Sequence, residues 1–206
     1  MGRTSDTRER LIQTGCELMA RRGYSGLGVA EICGHSGVPK GSFYYFFESK
    51  QALALAVIDE QWRAQRATWL SVLEGAATPL HRLEALFRVT AEVQEEVRRT
   101  TGSMNGCLFA NLALELSTQD DIIRARLGQI FAEQTELVSD VLRAAAEVGE
   151  IADSRSSPGT ARAIVAQLEG MVLFAKLAND PEMLHEVWAQ AQLLLAVGVA
   201  APITSR

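Results

Sequence analysis

The chain has 206 residues, of which 48% are hydrophobic and 22% are charged, and its formal net charge is −5. This length suffices for one or two domains with a buried core, and the composition excludes a disordered tail protein. Ala, Leu, Glu, Arg and Gln dominate the chain, and its five prolines lie outside the long periodic stretches. We therefore predict an all-α protein of about nine helices.

Charge is distributed unevenly along the chain. Residues 1–50 hold seven Arg and Lys against five Asp and Glu, a net charge of +2, and the remaining 156 residues carry −7. A basic end on an acidic body is typical of a small DNA-binding module. A difference of this size also arises by chance, so the charge pattern leaves both interpretations open.

The sequence has no pattern of a secreted or membrane-spanning protein. Residues 1–6 lack the apolar core of a signal peptide. The longest nearly unbroken apolar run, residues 193–203, is too short to cross a bilayer. The three cysteines, Cys16, Cys33 and Cys107, cannot all pair within one chain. We therefore expect a soluble cytoplasmic protein with free thiols.

Short helices are predicted at the N-terminal end. Glycine just past a helix end favours termination, and Gly23 and Gly37 occupy such positions. Because short helices bury little surface alone, we predict that residues 1–48 form one compact three-helix domain, with a helix-turn-helix at about residues 29–48. The predicted helices span residues 5–22, 29–36 and 39–47.

Longer helices follow in a second, larger domain at residues 49–206. Ser49 is a candidate cap for the first of them, and residues 117–121 resemble a capping sequence for another. The Ser- and Asp-rich segment 149–159 is predicted to be a loop. The predicted helices span about residues 50–74, 79–100, 107–116, 160–178 and 181–199, and a further helix follows the capping sequence at 117–121 and reaches residue 148.

The second helix of the predicted helix-turn-helix carries the chemistry of a DNA contact. In such motifs the N-terminal residues of this helix enter the major groove. Lys40, Gly41 and Ser42 place a cation, an unhindered N–H group and a hydroxyl at that end, while Tyr44 and Tyr45 offer hydroxyls. An ordinary helical hairpin with a surface lysine has the same spacing, so that alternative stays open. The candidate DNA-binding residues are Lys40, Gly41, Ser42, Tyr44, Tyr45 and Lys50.

The segment 37–50 reads Gly-Val-Pro-Lys-Gly-Ser-Phe-Tyr-Tyr-Phe-Phe-Glu-Ser-Lys, and Thr-Arg-Glu-Arg-Leu-Ile and Arg-Gly-Tyr precede it. Over about residues 5–60 this order resembles the DNA-binding domain of the TetR family of bacterial transcriptional repressors. The resemblance implies a homodimer on double-stranded operator DNA, joined through its last two helices at about 160–178 and 181–199. It also implies a small-molecule effector site in the central helices, and it matches the six candidate residues to DNA-contacting positions.

Two positions depart from the family pattern. The helix before the turn usually opens with Thr or Ser, whereas Leu27 and Gly28 stand here. A side-chain cap and a phosphate contact are therefore in doubt at that point. Phe46 stands where many members have a phosphate-contacting His, so it is not among the predicted contacts.

A second resemblance covers part of the larger domain. It rests on the sequence of residues 105–115, on Glu-Gly-Met-Val-Leu-Phe-Ala-Lys at 169–176 and on Asp-Pro-Glu at 180–182. These segments are similar to a branch of the family whose members respond to reactive electrophiles or acrylate-like compounds. The resemblance indicates the kind of effector and not its identity.

Four residues of this domain are candidates for an effector site. Cys107 is predicted at a helix N-terminus, where the helix dipole favours the thiolate that attacks electrophiles. Asn111 and Glu115 follow at i+4 and i+8 and form a polar stripe that needs partners. Lys176 ends an apolar helix, where it could pair with Glu115, lower the pKa of a thiol, or bind its own helix's last carbonyls. A packing role for Cys107 and Asn111 is the open alternative.

No motif of the sequence indicates an enzyme. It has no P-loop, dinucleotide fingerprint or HExxH pattern, and His35, His81 and His185 are too far apart in sequence to suggest a metal site. We predict no catalytic residue, no metal and no cofactor. The sequence thus favours a ligand-responsive repressor. Two alternatives stay open, namely the same repressor with a purely non-covalent effector, and a helical interaction module that binds no DNA.

Overall fold

The computed structural model describes residues 2–197, with side chains from Asp6 onward. Within this range all regular structure is helical, in nine α-helices and two 3-10 helices, so the all-α prediction is confirmed. The 3-10 helices are Asp153–Arg155 and Pro181–Glu186. The α-helices are α1 (Gly2–Arg22), α2 (Val29–Ser36), α3 (Lys40–Phe46), α4 (Lys50–Leu73), α5 (Pro79–Thr101), α6 (Leu108–Leu116), α7 (Asp121–Glu147), α8 (Pro158–Ala178) and α9 (Val187–Leu195).

Most helix ends follow from local signals in the sequence. Ser49 Oγ accepts the N–H of Ala52 at 3.0 Å and caps α4, as predicted. At the start of α7, Asp120 Oδ1 accepts the N–H groups of Ile122 and Ile123 at 3.1 and 3.0 Å. These side chains satisfy N–H groups that have no partner within the helix, and so they fix where each helix begins.

The last predicted helix is shorter than expected. The range 181–199 begins as the 3-10 helix Pro181–Glu186 and becomes α-helical only at Val187. Asp180 Oδ1 accepts the N–H of Glu182 at 3.2 Å and starts the tighter turn. Ala196, with φ 54°, ends α9. Positions 198–199 of that prediction, and the end of the apolar run 193–203, lie outside the described residues.

The contacts within the chain divide it into two compact units. The first joins Met1–Thr68 to Asn105–Phe131, and the second joins Trp69–Met104 to Ala132–Arg206. The first therefore contains α1, α2, α3 and α6. The domain boundary predicted after residue 48 stays a prediction, since this grouping describes packing and not independent folding.

Each unit has its own apolar core. In the first unit, Val38 between α2 and α3 is buried, and the fully buried Phe43 lies on α3. In the second, the rings of Phe87 and Trp188 lie 6.1 Å apart, between α5 and α9. Within residues 2–197, no helix has both the length and the apolar character that crossing a membrane requires. Large, fully buried side chains of the first unit include Leu11, Met19, Ile32, Phe43, Leu53, Ile58, Phe109, Leu112, Ile123 and Leu127.

Candidate DNA-binding and effector residues

A left-handed glycine makes the turn between α2 and α3. Gly37 has φ 64° and ends α2, and the N–H of Val38 then bonds to the carbonyl of Cys33 at 3.0 Å. No heavy atom lies within 4 Å of a Cβ built at Gly37. The backbone angle alone therefore favours glycine at this turn.

The exposed side of α3 carries the predicted DNA-binding residues of that helix. Lys40 and Gly41 are exposed at its N-terminus, and nothing lies within 4 Å of a Cβ built at Gly41. Tyr44 and Tyr45 are 52% and 77% exposed, although Phe43 between Ser42 and Tyr44 is fully buried. The helix is thus anchored by one ring and offers its polar groups to solvent. Ser42 is half-buried at the same end.

Lys50 has a different environment from the other candidates. Its ammonium donates to the carbonyl of Tyr24 at 3.1 Å and to that of Leu27 at 2.8 Å. It also lies 4.0 Å from the centroid of the Tyr24 ring, a cation–π contact. Burial lowers the pKa of Lys50, and the charge of Glu115 partly offsets this effect. Lys50 therefore supports a loop, and its DNA contact stays a prediction.

Glu115, a candidate effector residue, binds the same loop from α6. Its Oε2 accepts the backbone N–H of Tyr24 at 2.8 Å, and its Oε1 accepts that of Ser25. Burial raises the pKa of the Glu115 carboxyl, but the hydrogen bonds from Ser25 and Tyr24 and the charge of Lys50 outweigh burial. The net shift of the pKa is downward, so the carboxylate stays ionised at neutral pH.

The α1–α2 loop, residues 23–28, is therefore held by two charged side chains. Lys50 binds its carbonyls and Glu115 binds its N–H groups. Gly23 has φ 75°, and a Cβ built there would lie 2.8 Å from Glu115 Oε2. This arrangement cannot be predicted from the sequence, because Tyr24 and Glu115 are 91 positions apart and no local pattern connects them.

Cys107 lies at the N-terminal end of α6, where the sequence predicts a helix N-terminus. It is the N-cap residue, it is half-buried, and its Sγ accepts the N–H of Ala110 at 3.5 Å. None of the three cysteines forms a disulfide. Burial raises the pKa of the thiols of Cys16 and Cys33, which disfavours their thiolates. Cys107 differs from them by its position at a helix N-terminus.

The other two candidate effector residues lie in different units. Asn111 Nδ2 donates to the carbonyl of Asn105 at 3.0 Å and closes the turn before α6. Lys176 lies in the last turn of α8 and is half-buried. Cys107, Asn111 and Glu115 thus share one helix segment of the first unit, and Lys176 belongs to the second.

Two polar features of the second unit were not predicted. His185 Nε2 lies 2.9 Å from Glu95 Oε1 and 3.7 Å from Glu182 Oε2. This cluster borders a cleft of about 470 Å³, and the positive charges of Arg98 and Arg99 in its lining disfavour a cation there. Gln134 on α7 is fully buried, and neither of its amide atoms has a partner among the described residues, which marks it as a candidate ligand contact. The cleft is lined by Glu95, Arg98, Arg99, Gly102, Pro181 and Glu182.

Two family profiles match the sequence. Residues 11–57 match the family described as "Bacterial regulatory proteins, tetR family". Residues 79–191, more than half of the chain, match "Tetracyclin repressor-like, C-terminal domain". The first match contains the whole helix-turn-helix, and the second contains α5, α6, α7 and α8 in full.

Individual relatives are similar over most of the chain. The HTH-type transcriptional repressor DhaR of Mycobacterium sp. (strain GP1) is 32% identical over 90% of this chain and 90% of its own length. The transcriptional regulator AcuR of Cereibacter sphaeroides is 34% identical over 86% of this chain and 80% of its own. The crystal structure of reduced Escherichia coli NemR superposes with a TM-score of 0.83 at 28% identity, over 95% of this chain and 100% of that one.

Proposed function

The chain belongs to the TetR family of bacterial regulatory proteins, and on this premise we propose that it is a homodimeric repressor that an effector releases from a palindromic operator. Membership makes it a DNA-binding transcriptional regulator, and the relatives above are transcriptional regulators too. The alternative of an interaction module without DNA binding is thereby set aside. Repression is supported by the names of the mycobacterial and Escherichia coli relatives, both called transcriptional repressors.

The exposed N-terminal end of α3 is the observation that carries this proposal. Lys40 and Gly41 offer a cation and a helix N-terminus, and Tyr44 and Tyr45 add two exposed hydroxyls. Such groups position a helix on phosphates and read base edges in the major groove. In a dimer the two copies of α3 would meet half-sites about 34–36 Å apart. Such a regulator acts on operator DNA in the bacterial cytoplasm.

An exposed apolar face on α8 and α9 supports dimerisation through these helices. Large apolar side chains of α8 and α9 are 37–74% exposed in the isolated chain. Several large exposed apolar side chains on neighbouring turns of a helix are typical of a protein–protein interface. A second copy of the chain is the partner that the family implies. The exposed side chains are Leu173, Phe174, Leu177, Leu193 and Leu194.

The thiol of Cys107 is the effector-sensing group in this proposal. Its position at the start of α6 favours the thiolate. The thiolate would attack the β-carbon of an acrylate-like compound and form a C–S bond. The π electrons then move toward the carbonyl, and the α-carbon takes a proton from water. The adduct changes the start of α6, and DNA is released only if the modified protein prefers its non-binding state.

A gel shift with and without N-ethylmaleimide tests the sensing step. The DNA is the fragment immediately upstream of the protein's own gene, and the proteins are wild type and Cys107→Ser. We expect the electrophile to release wild type but not the variant. Release of both would contradict sensing at Cys107, because the electrophile would then act at another group, and release of neither would favour the non-covalent effector. Gln134, whose buried amide lacks a described partner, would then be the first contact to substitute.

A further inference from the structure

The start of α2 lacks the side-chain cap that such helices commonly carry. Its N-cap residue is Gly28, and no side chain caps the first turn. The side-chain oxygen of a Ser or Thr at an N-cap accepts a backbone N–H of the first turn, and glycine has no such oxygen. No cap on α2 therefore orders the α1–α2 loop that leads into this helix, so the order of the loop has to come from other contacts.

That loop is bound on both its donors and its acceptors. Glu115 accepts the N–H groups of Tyr24 and Ser25, and Lys50 donates to the carbonyls of Tyr24 and Leu27. Hydrogen bonds with a charged partner are about twice as strong as neutral ones. The two side chains come from α6 and α4, so elements outside the helix-turn-helix supply the order that Gly28 does not.

We propose that Glu115 is a positioning residue for DNA binding, because its hydrogen bonds to Tyr24 and Ser25 hold the α1–α2 loop in the conformation that presents α3. This inference rests on the proposed function and assigns Glu115 a role other than contact with an effector. A loop that is already ordered costs less free energy to bind than one that must be ordered on the DNA.

Electrostatics alone predicts the opposite effect of removing Glu115. DNA is a polyanion, so deleting a carboxylate should strengthen binding in the absence of any positioning role. Glu136 provides the matched control, since it is an exposed glutamate on α7 in the second unit. Whether operator affinity falls or rises when Glu115 is replaced therefore separates a positioning role from an effect of charge.

The experiment measures operator affinity and amide exchange on the full-length protein. Wild type, Glu115→Ala, Glu115→Gln and Glu136→Ala are titrated against the upstream DNA fragment at several salt concentrations. Hydrogen exchange then follows the backbone amides of Tyr24 and Ser25, and melting temperatures identify any variant that fails to fold. Glu115→Gln keeps one acceptor oxygen and serves as the conservative variant.

We expect Glu115→Ala to weaken operator binding about tenfold, with faster exchange at both amides. Its salt dependence should equal that of wild type, because Glu115 neutralises no phosphate. The operator affinity of Glu115→Gln should lie between those of wild type and Glu115→Ala. Glu136→Ala should bind as tightly as wild type or more tightly. If wild type binds the fragment and Glu115→Ala binds it equally well or more tightly, the positioning role is overturned and the proposed function is not. A wild type that does not bind the fragment contradicts the proposed function instead.

Discussion

Glu115 Oε2 accepts a hydrogen bond from the backbone N–H of Tyr24 at 2.8 Å, across 91 positions of the sequence. The contact connects α6, which begins beside the Cys107 thiol, with the loop that leads into the helix-turn-helix. A residue expected at an effector site is thus bound to the DNA-binding end of the same unit.

This contact should make stability depend on pH in the acid range. The folded pKa of Glu115 lies below its ordinary value of 4.5, so ionised Glu115 favours the folded state. The contribution is complete above pH 4.5 and is lost as pH falls through the folded pKa. We expect wild type to exceed Glu115→Gln in free energy of unfolding at pH 7, with a gap that shrinks below pH 4.5. Urea unfolding of both proteins at several pH values across this range measures the gap. A gap that does not change with pH would contradict this expectation.

Gly23→Ala should destabilise the first unit. Alanine at φ 75° costs about 1–2 kcal/mol, and its Cβ would displace the Glu115 carboxylate. Gly26→Ala is the matched control in the same loop, because its Cβ would meet nothing closer than 3.7 Å. Thermal unfolding of both variants measures the difference. Equal stability of the two would show that Gly23 is not required for this loop conformation.

Gly28→Ser should stabilise α2 by a few tenths of a kcal/mol, because serine supplies an N-cap hydroxyl that glycine lacks. The backbone angles at Gly28, φ −101° and ψ 150°, suit serine, and no atom lies within 4 Å of the added Cβ. Gly28→Ala has the Cβ without the hydroxyl and should gain nothing. Chemical unfolding compares the two, and an alanine variant as stable as the serine variant would rule out a capping gain.

Cys107 should be the first cysteine to react with iodoacetamide in the native protein at neutral pH. Burial raises the pKa of the Cys16 and Cys33 thiols, and only a thiolate is strongly nucleophilic. Cys107 is half-buried, as Cys16 is, but it differs from both in its position at a helix N-terminus. Mass spectrometry of peptides over a time course gives the three rates. Labelling of Cys16 or Cys33 as fast as Cys107 would contradict the assignment.

Local signals in the sequence were sufficient to predict most of the helices and their ends. Ser49 and Gly37 act within a few residues of the ends they specify, so the bounds of α2 and α4 follow from them. The helix-turn-helix is likewise contained in one continuous segment, residues 29–48, and its chemistry can be read from spacing. The turn at Pro181–Glu186 is an exception, since a proline at a helix start fits both helix types.

The surroundings of individual site residues could not be predicted in this way. Lys50 stands beside the DNA-binding motif in sequence, and yet tertiary packing directs its ammonium to the carbonyls of Tyr24 and Leu27. Glu115 falls on a helical stripe with Cys107, although its carboxylate binds a loop 90 residues away. Periodicity assigns a residue to a face of a helix, but it does not tell which element covers that face.

DNA binding through α3 is tested most directly by titrating the upstream fragment with wild type, Lys40→Ala and Arg143→Ala at several salt concentrations. Arg143 is an exposed arginine of α7 in the second unit, so its loss removes the same charge elsewhere. We expect wild type to prefer the fragment over a scrambled one, and Lys40→Ala to bind more weakly with a salt slope lower by about 0.9. Arg143→Ala should retain the wild-type slope. Absence of wild-type binding at low salt, or identical behaviour of the two variants, would contradict DNA recognition by α3.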